Sequence, residues 1–169
     1  MFRQWPDIGE ALHIPALVQL QKAGRISHVN LANAVGLSPS PCLQRVKRLE
    51  TAGFITGYEA HVNLPKITDS VTVFTGVTLA GHRREDFMRF ENALREVDEL
   101  MACHLITGGY DYLLHFITRS IEHYQEVIES VLDAKIGIDK YFSYIVIKSP
   151  ILKSSVPLRS LIFRQTMEF

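Results

Sequence analysis

The stretch SHVNLANAVGLSPSPCLQRVKRLETAG, residues 27–53, holds two helix starts and two helix stops, and its reading decides the amino-terminal fold. Ser27 is a good N-cap, Val29, Leu31, Ala32 and Val35 supply an inward side, and Gly36 is placed as a C′ glycine. The spacing predicts a helix of about two turns over 28–35. In Ser38-Pro39-Ser40-Pro41 the first serine caps a second helix, and both prolines fall in the first turn, where backbone N–H groups have no intrahelical partner. That helix runs to Ala52 and Gly53 stops it. Cys42, Val46 and Leu49 recur at spacings of four and three and face a core, with Leu43 beside them. Gln44, Arg45, Lys47 and Arg48 are left to point outward.

Upstream, Leu17, Val18, Leu20 and Ile26 form a short apolar stripe, with Pro15 suited to a first turn and Gly24 to an end, which predicts a helix over 14–23. Two short helices joined by a turn containing Gly36, the second displaying Gln and Arg, have the organisation of a helix-turn-helix DNA-binding unit. The chemistry fits the groove: Arg donates two bonds to a guanine edge, Gln pairs with adenine, and Ser hydroxyls and N–H groups at a helix start hold phosphate. The candidate DNA-facing residues are Ser38, Ser40, Pro41, Gln44, Arg45, Lys47 and Arg48. The bland alternative is a three-helix bundle with a solvated basic face.

The charge distribution is compatible with that unit. The chain is formally neutral, but residues 1–63 carry six cations against four acids, a net +2, and the remainder carries −2. Two charges are a weak bias. The clustering of Arg45, Lys47 and Arg48 within one helical turn is the informative point.

Beyond residue 70 the period changes. Residues 71–80, Val-Thr-Val-Phe-Thr-Gly-Val-Thr-Leu-Ala, alternate and are rich in β-branched types, which predicts a strand. Phe87, Phe90, Leu94 and Val97 repeat at helical spacing. Residues 101–107 read as a strand, Gly108-Gly109 as a turn, and Tyr112 to Thr118 as the hairpin partner. Ile121, Tyr124, Val127, Ile128 and Val131 mark a second amphipathic helix, and Tyr141 to Ile147 a last strand. The order β-α-β-β-α-β is that of the ferredoxin-like split βαβ motif. Two helices cover only one face of such a sheet, yet Leu113, His115 and Ile117 point one way and Tyr112, Leu114 and Phe116 the other. One apolar face therefore needs a cover, and a second copy of the chain is the expected one. The segment 54–70 alternates in part (Tyr58, Ala60, Val62) before Asn63-Leu64-Pro65 and suits a strand-like linker.

At 169 residues with 47% hydrophobic and 21% charged residues, the chain is too apolar to be disordered. No run of about eighteen apolar residues occurs, and the start Met1-Phe2-Arg3-Gln4-Trp5-Pro6-Asp7 lacks the build of a signal peptide, so the expectation is a cytoplasmic protein with no membrane partner. Trp5 is expected in an arm or helix packing on a neighbouring subunit. Two cysteines, Cys42 and Cys103, form no CxxC and argue against a disulfide framework or a structural zinc. His104, His115 and Cys103 are expected to be sheet residues rather than metal ligands. No nucleophile elbow, P-loop, Gly-rich dinucleotide turn or metal-ligand pair appears, so neither an enzyme nor a cofactor is expected.

With these motifs placed, the chain resembles the Lrp/AsnC family, the leucine-responsive or feast/famine transcription regulators. The resemblance rests on Gly24-Arg25-Ile26-Ser27, Leu31-Ala32, Val35-Gly36-Leu37-Ser38, Pro41-Cys42-Leu43, Arg45-Val46-Lys47-Arg48-Leu49-Glu50 and Gly53-Phe54-Ile55-Thr56-Gly57-Tyr58. A second match is Gly108-Gly109-Tyr110-Asp111-Tyr112-Leu113-Leu114. It implies an α+β chain with a winged-helix-like helix-turn-helix domain over 1–56, a hinge over 57–70, and a ferredoxin-like domain with its tail over 71–169. It further implies dimers that assemble to tetramers or octamers, double-stranded DNA with a palindromic operator as partner, and an amino-acid effector. By the same resemblance the effector pocket takes in Thr107, Gly108, Tyr110, Asp111, Tyr112 and Ser143. Three positions depart from the family pattern: His13 and Pro15 at the first helix, Lys135-Ile136-Gly137-Ile138 before the last strand, and Tyr141-Phe142-Ser143 within it. The remaining alternative is a sensing or scaffolding module whose helix-turn-helix no longer reads DNA, against which the outward Gln44, Arg45 and Arg48 argue.

Overall fold

The computed structural model describes residues 13–162. The arm expected around Trp5 lies outside the described residues. The chain divides into two compact units. One runs through His61 and also takes in the segment from Ile151 on, and the other is Val62–Pro150.

In the first unit α1 (His13–Lys22), α2 (His28–Ala34) and α3 (Pro39–Thr51) surround Leu31, Ala32, Cys42 and Val46, with Leu20, Ile26, Val35, Leu37 and Ile55 packed at the margin. The Ser27 hydroxyl accepts the Asn30 N–H at 3.2 Å and fixes the start of α2. Gly36, at φ +68°, makes the turn a side chain would strain, and Leu37 N–H then returns to the Ala32 carbonyl at 2.8 Å.

Residues 54–63 form no strand, contrary to the linker expected there; Leu64–Lys66 is a single 3-10 turn. Alternation alone does not make a strand without a neighbour to pair with. Instead Tyr58 Oη donates to Glu50 Oε1 at 2.8 Å, which returns the chain to the end of α3. Burial and this carboxylate push the Tyr58 hydroxyl up to about 12.

The segment from Ile151 groups with the helical unit, not with the sheet domain to which the sequence reading gave it. Val156 N–H donates to Gln21 Oε1 at 2.8 Å, and a short α6 (Leu158–Ile162) packs on α1. No periodicity marks this segment, so its partner was not readable from pattern.

The second unit contains β1 (Val71–Leu79), α4 (Arg84–Leu94), β2 (Leu100–Leu105), β3 (Tyr112–Thr118), α5 (Ile121–Asp133) and β4 (Ile138–Ile145). The strands form one antiparallel sheet in the order β2-β3-β1-β4, the ferredoxin-like arrangement. Strand β3 alternates strictly: Tyr112, Leu114, Phe116 and Thr118 are buried, and Leu113, His115 and Ile117 half-buried. The buried set meets Phe90 and Leu94 of α4 and Tyr124, Ile128 and Val131 of α5. Strand β2 ends earlier than expected, at Leu105; the Ile106 N–H to Asp111 carbonyl bond at 2.9 Å is a last rung in the same register before the loop. Strand β4 starts earlier, since Ile138 already pairs with Leu79 past a bulge.

One buried hydroxyl tests the core. Thr75 is fully buried, and its Oγ1 lies 2.7 Å from Tyr124 Oη, which also meets Ser143 Oγ. Tyr124→Phe leaves Thr75 without that partner, and we expect a loss of about 1–2 kcal/mol in urea unfolding. An unchanged midpoint would mean that Ser143 or water replaces the bond.

Candidate functional site

At ~100° per residue, a helix aligns positions four and seven apart, so Ser40, Gln44, Lys47 and Thr51 follow one line on α3 with Arg48 beside it. All five are exposed, while Cys42, Val46 and Leu49 hold the opposite side in the core. Arg45 differs from the outward position expected for it. It is half-buried on the flank of α3, one turn from Cys42, where its charge partly offsets the burial that pushes the Cys42 thiol up. The i, i+3 relation to Cys42 places it near the core margin, which a list of polar residues does not reveal.

The start of α3 is also more restricted than expected. Pro39 and Pro41 have no N–H, and Cys42 N–H donates to the Ser38 carbonyl at 3.2 Å, so the first turn leaves the Ser40 N–H as the donor without an intrahelical partner. Ser38 occupies the N-cap position but makes no side-chain capping bond. What this end offers a phosphate is one N–H and the hydroxyls of Ser38 and Ser40.

In the second unit, the expected effector residues are not all brought together. Thr107, Gly108, Tyr110 and Asp111 share the loop between β2 and β3, with Gly108 at φ +133°. Asp111 is engaged within the chain: Oδ2 accepts the Leu79 N–H at 2.8 Å, and His82 Nε2 lies 3.1 Å away. Its backbone N–H donates to the Val77 carbonyl at 2.9 Å. This carboxylate ties the loop to the end of β1.

Tyr110 lies on the sheet face that the helices do not cover. Its ring crosses Gly76, where a Cβ would sit 2.6 Å from it, and its hydroxyl meets Tyr144 Oη at 2.6 Å. Phe142 packs beside it at 5.8 Å. Tyr112 points the other way, into the core beneath α4, where its hydroxyl donates to Glu91 Oε1 at 2.7 Å. Burial and that carboxylate hold the Tyr112 hydroxyl well above the ordinary phenol range. Ser143 is on the helix side of β4 with Tyr124.

Gly76, His82 and Glu91 were not anticipated. A lone glycine inside a β-branched strand signals close approach by another group, and that signal was available at Gly76. Nothing local marks the other two. Cys103 pairs with Leu114 and His104 with Leu113, so these neighbours face opposite sides of the sheet and do not converge on a metal. Among the described residues no group of three or more His, Cys, Asp or Glu is placed to hold one, and no helix is long and apolar enough to cross a membrane.

The chain carries a helix-turn-helix unit, the organisation of a DNA-binding module, and a separate ferredoxin-like unit. Comparison with known proteins agrees in both halves. Residues 17–56 match the winged helix-turn-helix DNA-binding family, and residues 72–156 match the Lrp/AsnC ligand binding domain. The transcriptional regulatory protein DoeX of Halomonas elongata is 41% identical over 130 residues, covering 77% of this chain and 82% of that protein. The leucine-responsive regulatory protein of Escherichia coli K12 is 39% identical over 132 residues, covering 78% and 80% respectively. Among solved structures, a transcriptional regulator of Neisseria meningitidis in complex with L-Met superposes with a TM-score of 0.84 at 29% identity, covering 90% of this chain and 99% of that one. The chain belongs to the Lrp/AsnC family of transcription regulators, and it is a regulator rather than an enzyme.

Proposed function

We propose that the protein is a cytoplasmic regulator that binds a palindromic operator as a dimer or larger assembly and releases or tightens on it when an amino acid binds. The observation that carries the DNA half is the exposed line Ser40, Gln44, Lys47 with Arg48 on α3, opposite the buried Cys42, Val46 and Leu49. In this reading Gln44, Arg45 and Arg48 read bases, while Ser38, Ser40 and Lys47 hold phosphates and Pro41 packs near the backbone. The uncovered sheet face supports self-association, because a single helix-turn-helix reads only a half-site and two-fold symmetry is needed for the whole.

The effector half rests on the loop carrying Thr107, Gly108, Tyr110 and Asp111, and on the L-Met complex of the Neisseria relative. Gly108 and Gly109 face open space at their Cβ positions, so a ligand can approach the backbone there. Asp111 positions this loop, and Tyr112 and Ser143 act from beneath the sheet instead of lining the loop. Operator affinity measured at fixed salt with each of the twenty amino acids at millimolar concentration tests the reading. At least one is expected to change the affinity by about fivefold or more, the lower end of ordinary allosteric coupling. If none does, the amino-acid reading fails while the DNA reading stands.

A further inference from the structure

Tyr112, one of the residues expected at the effector, leads to a different place. Between α4 and β2 lies a cavity of about 540 Å³, within the ~300–1,000 Å³ range of small-molecule sites. Leu94, Val97 and Leu100 supply apolar lining, while Glu91 and Arg95 stand at one wall and Cys103 at another. β2 is an edge strand, so one side of the cavity is backbone that no other strand of the sheet pairs with.

We propose that this cavity is a ligand site, separate from the β2–β3 loop, for a small zwitterion with an apolar side chain. Glu91 and Arg95 are one helical turn apart, with ~5–6 Å between neighbouring Cβ atoms at that spacing. An α-ammonium group between them is held by the Glu91 carboxylate, and the adjoining α-carboxylate by the Arg95 guanidinium fork. The Tyr112 hydroxyl, donating to Glu91 Oε1, orients the carboxylate and leaves Oε2 for the ligand. The ligand's side chain then lies on Leu94, Val97 and Leu100, which selects an aliphatic or thioether group over a polar one.

Tyr112 is buried beneath α4 in the sheet core, so a ligand on Glu91 is linked by one hydrogen bond to the strand that leaves the effector loop. This rests on the proposal that the regulator answers to an amino acid, and it adds to the loop a second site that lies within one chain.

Cys103 provides the readout. Cys42 is 1% exposed, whereas Cys103 is exposed and lines the cavity, so a thiol reagent under native conditions reads Cys103. Burial and Glu91 push its thiol up to about 11, so labelling is done at mildly alkaline pH.

On the full-length protein, L-Leu or L-Met at ten times its dissociation constant is expected to slow labelling about tenfold. 4-Methylpentanoate and 3-methylbutylamine, each lacking one charged end, are expected not to. Arg95→Gln and Glu91→Gln abolish protection, and Glu91→Gln keeps an acceptor for Tyr112 so that folding is not the cause. Asp111→Asn, which preserves an acceptor for the Leu79 N–H but alters the loop, retains it.

The site is overturned if neither L-Leu nor L-Met slows labelling, or if protection survives in Arg95→Gln and vanishes in Asp111→Asn. An amino acid that shifts operator affinity without protecting Cys103 removes this site and leaves the regulator's amino-acid response intact.

Discussion

An Arg45→Ala, Arg48→Ala variant is expected to lose most of its operator preference. A base-contacting arginine contributes on the order of 1–3 kcal/mol, so the pair together is worth on the order of 2–6 kcal/mol, from tens of fold to about 10⁴-fold in affinity. The two arginines are not expected to share this equally. Arg48 is exposed beside the line of Ser40, Gln44 and Lys47, whereas Arg45 is half-buried with its charge felt at Cys42. Arg48→Ala alone should therefore take the larger part and relax specificity at one base pair. Arg45→Ala should cost less in recognition and also disturb the packing of α3.

Lys47→Ala serves as the control for phosphate contact: it should weaken every sequence alike and reduce the salt slope by about one. Fluorescence anisotropy on operator and scrambled duplexes at several salt concentrations separates these outcomes. Normal operator binding by the double variant would refute the assignment of α3 as the reading helix.

The helices of this unit were legible because their signals are local. Ser27, Gly36, Ser38-Pro39 and Gly53 mark the helix ends within their own turns, and the helices form within a residue or so of the expected places. Strand β3 was equally legible, its alternation from Tyr112 to Thr118 matching the burial pattern position by position.

What escaped depends on partners distant in sequence. The carboxylate of Asp111 is used by the Leu79 N–H, 32 positions away, and Gln21 is met by Val156, 135 positions away. A pattern read along one strand tells which face a residue takes, but not which loop will lie on it. Tyr110 and Tyr112 are two apart in sequence, yet the loop's geometry sends one across Gly76 and the other beneath α4. The resemblance grouped them as one pocket, and the fold separates them.

The face on which Tyr110 lies carries the second large effect. Opposite α4 and α5, the sheet presents Phe74, Leu113, His115, Ile117, Phe142 and Tyr144, and no element of the same unit covers them. Phe142 is 53% exposed in the single chain, so its replacement perturbs the fold little and any association through this face greatly. Burying an aromatic side chain is worth on the order of 1.5–3 kcal/mol, and a two-fold interface uses the position twice. Phe142→Asp should thus cost on the order of 3–6 kcal/mol of association, roughly 10²- to 10⁴-fold in the dissociation constant.

A histidine on this face makes the fold itself respond to pH. His115 stacks on Phe74 at 4.8 Å, and burial together with nearby His104 holds its imidazole below the ordinary value of about 6.5. Tyr110, Tyr144 and Lys140 share that side of the sheet and supply no carboxylate to stabilise a charged ring. Unfolded, His115 takes up a proton at a higher pH than when folded. Its contribution is complete above the ordinary imidazole value and is lost as pH falls from there toward the lowered folded value. Urea unfolding should accordingly show full stability at pH 7.5 and a loss as the pH is lowered below the ordinary imidazole value, and His115→Phe should suppress that loss. If, in light scattering at micromolar concentration, Phe142→Asp assembles with the affinity of the unaltered protein, self-association through this face is refuted.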